Sequence, residues 1–568
     1  MNKRFSGSRF RLSVFLCIHV PLLLAAVLLF ALAHPNPLSV RGFPLAAYFA
    51  FVPLFVLVRR ISLRASFLWG AVYGFLCYCA YSYWLGAFHP LALYVITGLY
   101  LFWMALIVPL LKLADILFPK KGYLLQWALW IGYEYVKTLG FNAFCYGIIG
   151  YSQWSWPAVI QIAALTGVWG VSALVVFPSA WIGAGCNAAL ACRKETADAA
   201  PACPRGKFFL AAFRRFAVRE KIPALVWSVC LAFTLVFGAV SLQRTADGPS
   251  VQVALIQPNS DPWHGGLPAY RREFRKLSAL SDAALAARPD VDFVVWPETA
   301  FIPRIEWHYK YREDRESFNL VQDLLRYLDS APVPFVIGND DAVRVTGPDG
   351  RDMRVDYNSV FVFFPGENVI PPAPERYRKT HLVPFTEHFP YRDAFPWVYD
   401  LLVASDTHFW EKGSEYTVFQ IGGLRFSTPV CFEDTFGYLS RRFVNAGARA
   451  IVNLTNDAWA KDICCQYQHL AMSVFRAVEN GVPLVRSTAT GQTAAVDPAG
   501  RVVAMAEPFT ETWLVADIPL LPDTGKTLYR IWGDLWGVLF LAVSPAVLLA
   551  GTVFRMVRKI RSGNSSCT

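Results

Sequence analysis

The chain has 568 residues, of which 55% are hydrophobic and only 17% charged, and its formal net charge is +11. Mean hydropathy is +0.35. So long and apolar a chain is neither a single domain nor an ordinary water-soluble protein. Its basic residues are spread over loops instead of gathered on one soluble face, which excludes a nucleic-acid binder.

Long apolar runs fill the first 245 residues, and one more lies near the C-terminus. Eight membrane spans are predicted, at 12–33, 43–58, 66–87, 91–111, 123–139, 159–186, 222–242 and 532–554. Most reach the ~20 residues that cross a hydrocarbon core; the second and fifth are short. Every second loop is basic: Lys3 to Arg11 before span one, Arg59, Arg60 and Arg64 after span two, Lys112, Lys120 and Lys121 after span four, the 193–221 segment after span six, and Arg555 to Arg561 after span eight. This alternation puts both termini in the cytoplasm and the segment after span seven outside it. The first run resembles a signal peptide at Ala31-Leu32-Ala33, but it is long for one, so a retained span is expected. Span five carries Glu134 and Lys137 on one helical face, where a mutual salt bridge is the simplest expectation. The 191–207 stretch reads as a cytoplasmic loop.

Between Val251 and Pro522 the composition is that of a soluble domain. Short apolar strands are expected at 251–257, 292–298, 333–338, 359–364, 417–421, 425–430, 450–454 and 483–486. Helices are expected at 270–287, 318–328, 436–445 and 466–479. Strands alternating with helices predict a layered α/β domain. The resulting division is 1–245 membrane domain, 246–525 extracytoplasmic domain, and 526–568 last span with a basic tail. The 12 cysteines show no paired spacing for a disulfide framework or a metal site. Cys464 and Cys465 read as small fillers in a loop before a helix.

Polar residues gather at the predicted strand ends, where open α/β sheets place their sites. Glu298 ends one strand, Lys379 stands in a polar stretch, and Cys431 ends another, just before a helix. Free N–H groups and a helix dipole there would favour thiolate over thiol. A glutamate, a lysine and a cysteine suit acyl transfer. The thiol attacks a carbonyl, the glutamate takes the proton, and the lysine with the Phe432 amide faces the oxyanion.

Trp296-Pro297-Glu298, Lys379 in Lys-x-x-Leu-Val-Pro-Phe, and Cys431-Phe432-Glu433 resemble the Glu-Lys-Cys signatures of the nitrilase superfamily. With eight apparent spans around them, they resemble its membrane-integrated branch, the apolipoprotein N-acyltransferase family. Glu387, eight residues after Lys379, matches that family's second glutamate. Asn456-Asp457-Ala458-Trp459, Gln468-His469-Leu470, Arg476-Ala477-x-Glu479 and Pro483-Leu484-Val485-Arg486 follow its pattern. Gly140-Phe141 and Gly150-Tyr151-Ser152-Gln153 match in the membrane part. The chain departs from it at Ala460, Lys461 and Gln466, where the family usually has an aromatic, a glycine and a proline.

The resemblance implies a nitrilase-like α-β-β-α sandwich outside the inner membrane of a bacterium. It implies a phospholipid acyl donor, a diacylglyceryl-modified lipoprotein as acceptor, and no metal or organic cofactor. Glu298, Lys379 and Cys431 are then the expected catalytic residues. Glu387 and Glu433 are expected to orient or charge-balance Lys379, and Phe432, Trp263 and Trp459 to contact substrate. The aromatic stretch Phe389 to Tyr399 is either a packed loop or a lid that dips into lipid. The alternatives are a membrane-tethered amidase with water as acceptor and a non-catalytic scaffold.

Overall fold

The computed structural model describes residues 15–88, 90–197, 205–243, 248–261, 265–347, 350–404, 407–522 and 525–564. It divides into two compact units. One comprises Met1–Leu139, Ala143–Ser241 and Asp534–Thr568; the other comprises Gly140–Asn142 and Leu242–Gly533.

Among the described residues of the first unit, five helices are long and apolar enough to cross a membrane: Leu63–Tyr81, Leu91–Leu117, Val168–Cys192, Lys221–Ser241 and Leu535–Arg561. The other expected spans form shorter helices. Pro44 and Pro53 each start a new one, so the second run breaks into Pro44–Ala47 and Val52–Arg60. Proline lacks an N–H and is at home only in a first turn. The first and fifth runs form Val20–Ala33 and Gly122–Val136.

Glu134 and Lys137 are not the direct ion pair expected, although each feels the other's charge. They belong to a set of side chains that satisfies the irregular backbone from Phe144 to Gly150. Lys137 Nζ donates to the Tyr146 carbonyl at 2.8 Å and to the Tyr78 hydroxyl at 3.0 Å. Glu134 Oε1 accepts from the Ile149 N–H at 3.0 Å. The Tyr81 hydroxyl accepts from the Gly147 N–H, and Ser172 Oγ from the Gly150 N–H. Backbone that leaves helical geometry inside an apolar body persists only where such partners exist.

The second unit holds two six-stranded sheets. The first runs β12-β1-β2-β3-β4-β5 and the second β11-β10-β9-β8-β7-β6. In chain order these are β1 Ser250–Gln257, β2 Phe293–Val295, β3 Phe335–Thr346, β4 Asp352–Phe363, β5 Glu375–Arg378, β6 Phe419–Ile421, β7 Leu424–Ser427, β8 Ala450–Thr455, β9 Leu484–Thr488, β10 Ala494–Val496, β11 Val502–Met505 and β12 Thr512–Pro519. β1, β2 and β3 are mutually parallel, as are β7, β8 and β9. Numbering this unit's main helices separately, α1 is Gly266–Ala287, α2 Arg315–Ser330, α3 Pro396–Ala404, α4 Gly437–Asn445 and α5 Ile463–Asn480.

The inner faces of the sheets meet. Phe293 of β2 stacks on Phe426 of β7, and the Ser487 hydroxyl of β9 lies 3.0 Å and 3.1 Å from the carbonyls of Ile256 and Val295. On the outside of the first sheet, Leu277, Ala284, Leu320, Leu324 and Leu328 of α1 and α2 pack on Ile256, Val294 and Phe335. The parallel strands are buried on both faces and read as unbroken apolar runs. Every expected strand and helix is present with shifted ends. The helix α5 starts at Ile463, capped by the Asp462 carboxylate on the Cys464 N–H at 2.7 Å. Cys464 and Cys465 therefore lie in its first turn and not in a preceding loop. β5, α3, β10, β11 and β12 were not expected.

Candidate active site

The turn after β2 delivers Glu298, which is 6% exposed. It crosses under β3 at Gly338, where a Cβ would stand 2.4 Å from the Pro297 carbonyl and 2.7 Å from Glu298 Cα. Only a glycine admits that crossing. Glu298 Oε1 accepts from Asn358 Nδ2 at 2.9 Å and from Lys379 Nζ at 3.2 Å. Oε2 accepts from the backbone N–H of Asn456 at 2.9 Å.

Lys379 follows β5 and is fully buried. Its backbone is held on both sides, by the Asn358 carbonyl and the Gly413 N–H, each at 2.8 Å. The ammonium also donates to Glu387 Oε1 at 2.8 Å, while Glu387 Oε2 accepts from the Val383 N–H. Burial alone would push Lys379 down. The Glu298 and Glu387 carboxylates outweigh it and hold the group well above the ordinary lysine range. Burial pushes Glu387 up, against the pull of the lysine.

Cys431 opens a tight 3-10 turn, Cys431–Thr435, at the end of the strand β7 extension. Its φ is +50°, a left-handed conformation rare for a side chain with a Cβ and frequent at functional turns. Here the structure corrects the sequence-based expectation of a thiolate. Burial first, and then the charge of Glu298, push the thiol well up, with Lys379 opposing. The nearest α-helix, α4, begins only at Gly437, too far along to act through its dipole, which fades within a turn. Burial and the Glu298 charge thus favour the neutral thiol of Cys431 over a preformed thiolate.

Glu433 feels the charge of Lys379 and holds the backbone that follows it. It touches no atom of the Lys379 ammonium. Its Oε1 accepts from the backbone N–H groups of Thr380 and His381 at 2.8 Å and 2.9 Å. Its Oε2 accepts from the Val430 N–H at 2.8 Å. The Tyr377 hydroxyl lies 2.8 Å and 2.9 Å from its two oxygens. Glu433 thus sews the Cys431 turn to the backbone just after Lys379. Burial pushes its carboxyl up, and the surrounding N–H donors and the Lys379 charge pull it back.

The other expected site residues fall as follows. Phe432 is buried, edge-on to Phe436 at 5.0 Å. Trp459 is half-buried on the short turn Ala458–Ala460. Trp263 lies outside the described residues. Asn456 matters through its backbone and Asp457 through a buried charge cluster. Sequence reasoning missed Asn358, Tyr377 and Thr380; their signal, a polar side chain inside or beside an apolar strand, is weak in one sequence.

Two family models match the chain: "Apolipoprotein N-acyltransferase N-terminal domain" over residues 19–181 and "Carbon-nitrogen hydrolase" over residues 252–522. The chain is 47% identical over 543 residues to "Apolipoprotein N-acyltransferase 1" of Treponema pallidum (strain Nichols), covering 95% of this chain and 97% of that one. The chain belongs to the apolipoprotein N-acyltransferase family. It is also similar to "Apolipoprotein N-acyltransferase 1" of Treponema denticola, 42% identical over 96% of this chain and 98% of that one. Among solved structures it is similar to Saccharomyces cerevisiae Nit3, of the nitrilase superfamily, at 19% identity and a TM-score of 0.34, covering 51% of this chain and 95% of that one.

Proposed function

We infer that this chain transfers an acyl chain from a membrane phospholipid to the α-amino group of the N-terminal diacylglyceryl-cysteine of lipoproteins, through a thioester on Cys431. The observation that carries the mechanism is the Lys379 ammonium shared between Glu298 and Glu387, with the neutral Cys431 thiol in the same field.

In the first half-reaction Glu298 accepts the thiol proton as Sγ attacks the ester carbonyl. The tetrahedral oxyanion faces Lys379 Nζ and the Phe432 N–H. Collapse expels the lysophospholipid alkoxide, which takes the proton back from Glu298. In the second half the lipoprotein amine attacks the thioester, Glu298 accepts a proton from nitrogen, and the departing thiolate recovers it. An α-amine with a pKa near ~7.7–8.0 is an adequate nucleophile at neutral pH.

Both substrates are membrane-anchored. The alternating basic loops support eight crossings in the bacterial inner membrane with the catalytic unit on the periplasmic side. The 396–404 helix α3 has no buried residue, and Phe395, Trp397 and Leu401 beside and within it are about half exposed or more; a lipid surface would cover them. The amidase alternative is not favoured, because the likeness to relatives named as N-acyltransferases runs over nearly the whole chain.

The test is to incubate the purified protein with labelled phospholipid and no acceptor. Mass spectrometry is expected to find an acyl adduct on Cys431, with lysophospholipid released. Lysophospholipid that appears only when a lipopeptide acceptor is also present would replace the covalent cycle with direct transfer.

A further inference from the structure

Four buried ionisable side chains that the acyl-transfer steps leave unused meet behind the nucleophile turn. Asp434 belongs to the Cys431–Thr435 turn itself. Asp457 follows Asn456, whose N–H holds Glu298. His469 projects from α5 and Arg486 from β9. All four are 2% exposed or less. His469 Nε2 lies 2.8 Å from Asp434 Oδ1, and its Nδ1 lies 3.2 Å from Asp457 Oδ1. Arg486 reaches the remaining oxygens, donating from Nη1 to Asp434 Oδ2 at 2.5 Å and from Nη2 to Asp457 Oδ2 at 3.4 Å. The Ser473 hydroxyl also donates to Asp434 Oδ2 at 2.6 Å.

Both imidazole nitrogens face carboxylate oxygens. A neutral ring would turn a lone pair on one of them; only the imidazolium donates to both. Two carboxylates and two cations then sum to zero, which is how charges this deep are tolerated. We propose that His469, as an imidazolium, is a positioning residue that locks the Cys431 turn to the Asn456–Asp457 loop and so sets the nucleophile against its base, Glu298.

The electrostatics point the same way. Asp457 is among the groups that raise the Cys431 thiol, so an uncompensated Asp457 would hinder both thiol ionisation and the oxyanion. Burial and Arg486 push His469 down, but Asp434 and Asp457 outweigh them and carry it up to about 9. Asp434 is held below the ordinary carboxylate range by Arg486 and His469, against its burial. The charged groups that meet the ring include Asp434 from the nucleophile turn, Asp457 from the loop and Arg486 from β9. On the helix of His469 itself, Cys465 is kept a neutral thiol by burial. The folded value lies above the ordinary 6.5, so the lock is complete below that pH and is lost as pH rises through about 9.

This proposal rests on the acyl-transfer reading for its meaning but is tested on the thiol directly. Two rates are measured in the full-length protein: alkylation of Cys431 by iodoacetamide, located by mass spectrometry, and acylation from labelled phospholipid. The variants are His469→Gln, Asp434→Asn and the two combined. Each single change strands an unbalanced buried charge and is expected to lower both rates, His469→Gln by ~10²-fold. The combined variant restores neutrality and is expected to recover ~10-fold over His469→Gln. Additive losses, or single variants at wild-type rates, would overturn the proposal. The wild-type protein supplies an arm that needs no variant. Its acylation is expected to fall reversibly between pH 8 and 10, and a flat profile there also overturns the lock. Recovery seen in alkylation but with no acyl adduct in any variant, wild type included, would support the lock while removing the acyl-transfer reading.

Discussion

At the scale of single residues, the site is one ammonium held between two carboxylates, beside a thiol that burial keeps protonated. Lys379 therefore does two things. It keeps Glu298 and Glu387 from repelling each other, and in the proposed mechanism it offers positive charge to the oxyanion. Lys379→Met is expected to lower acylation of Cys431 by ~10²–10³-fold, the usual cost of one lost oxyanion donor. It is also expected to lower the melting temperature, because two buried carboxylates lose their counter-ion. Lys379→Arg is expected to rescue poorly, since a planar fork does not fit where Glu298 Oε1 and Glu387 Oε1 converge on one nitrogen. Near-normal turnover in Lys379→Met, measured as lysophospholipid released, would make the residue purely structural. Glu298→Gln is expected to abolish acylation, because the amide cannot take the thiol proton, while the protein keeps a cooperative melting transition. Loss of both would mean that the change had unfolded the site.

At the scale of elements, a few crossings decide whether these side chains meet. Gly338 lets β3 pass the Glu298 turn. Gly338→Ala is expected to disrupt the site more than its distance from the chemistry suggests, because the new Cβ meets backbone atoms that cannot rotate away. The measurement is acylation rate against thermal melting, with loss of both expected; a wild-type rate would mean that the turn can shift freely. β2 and β7, three and four residues long, were legible because the sequence beyond them continues the apolar run, over 292–298 and 425–430. The 494–505 hairpin and the short β5 were not, since three or four residues carry too little periodicity. The Cys431 turn shows the limit in physical terms. A strand-to-helix junction could be read from Thr428 to Phe436, but not the short 3-10 turn that delays the helix, and so not the sign of the thiol's shift. The Asp434–His469–Asp457–Arg486 cluster draws on four separate segments; only packing brings them together.

At the scale of the whole molecule, loop charge and helix length carry the argument. A reporter inserted after Arg244 is expected to face the non-cytoplasmic side, and one fused after Arg558 the cytoplasm. A cytoplasmic signal from the first would invert the proposed topology. Among the described residues five helices are long and apolar enough to cross a membrane, and such mapping decides whether the three shorter expected spans cross as well. One pairing in the catalytic unit has a wider consequence. Its first strand lies antiparallel to its last, so that Ser250 is the partner of Pro519. A domain whose entrance and exit are neighbours resembles a bead hung from a single knot: it can be spliced into a loop of an unrelated host without stretching either. A hydrolase-like unit of this kind could thus be acquired between two helices in one insertion, and swapping its counterpart from a relative at these two residues should give a chimera that still folds.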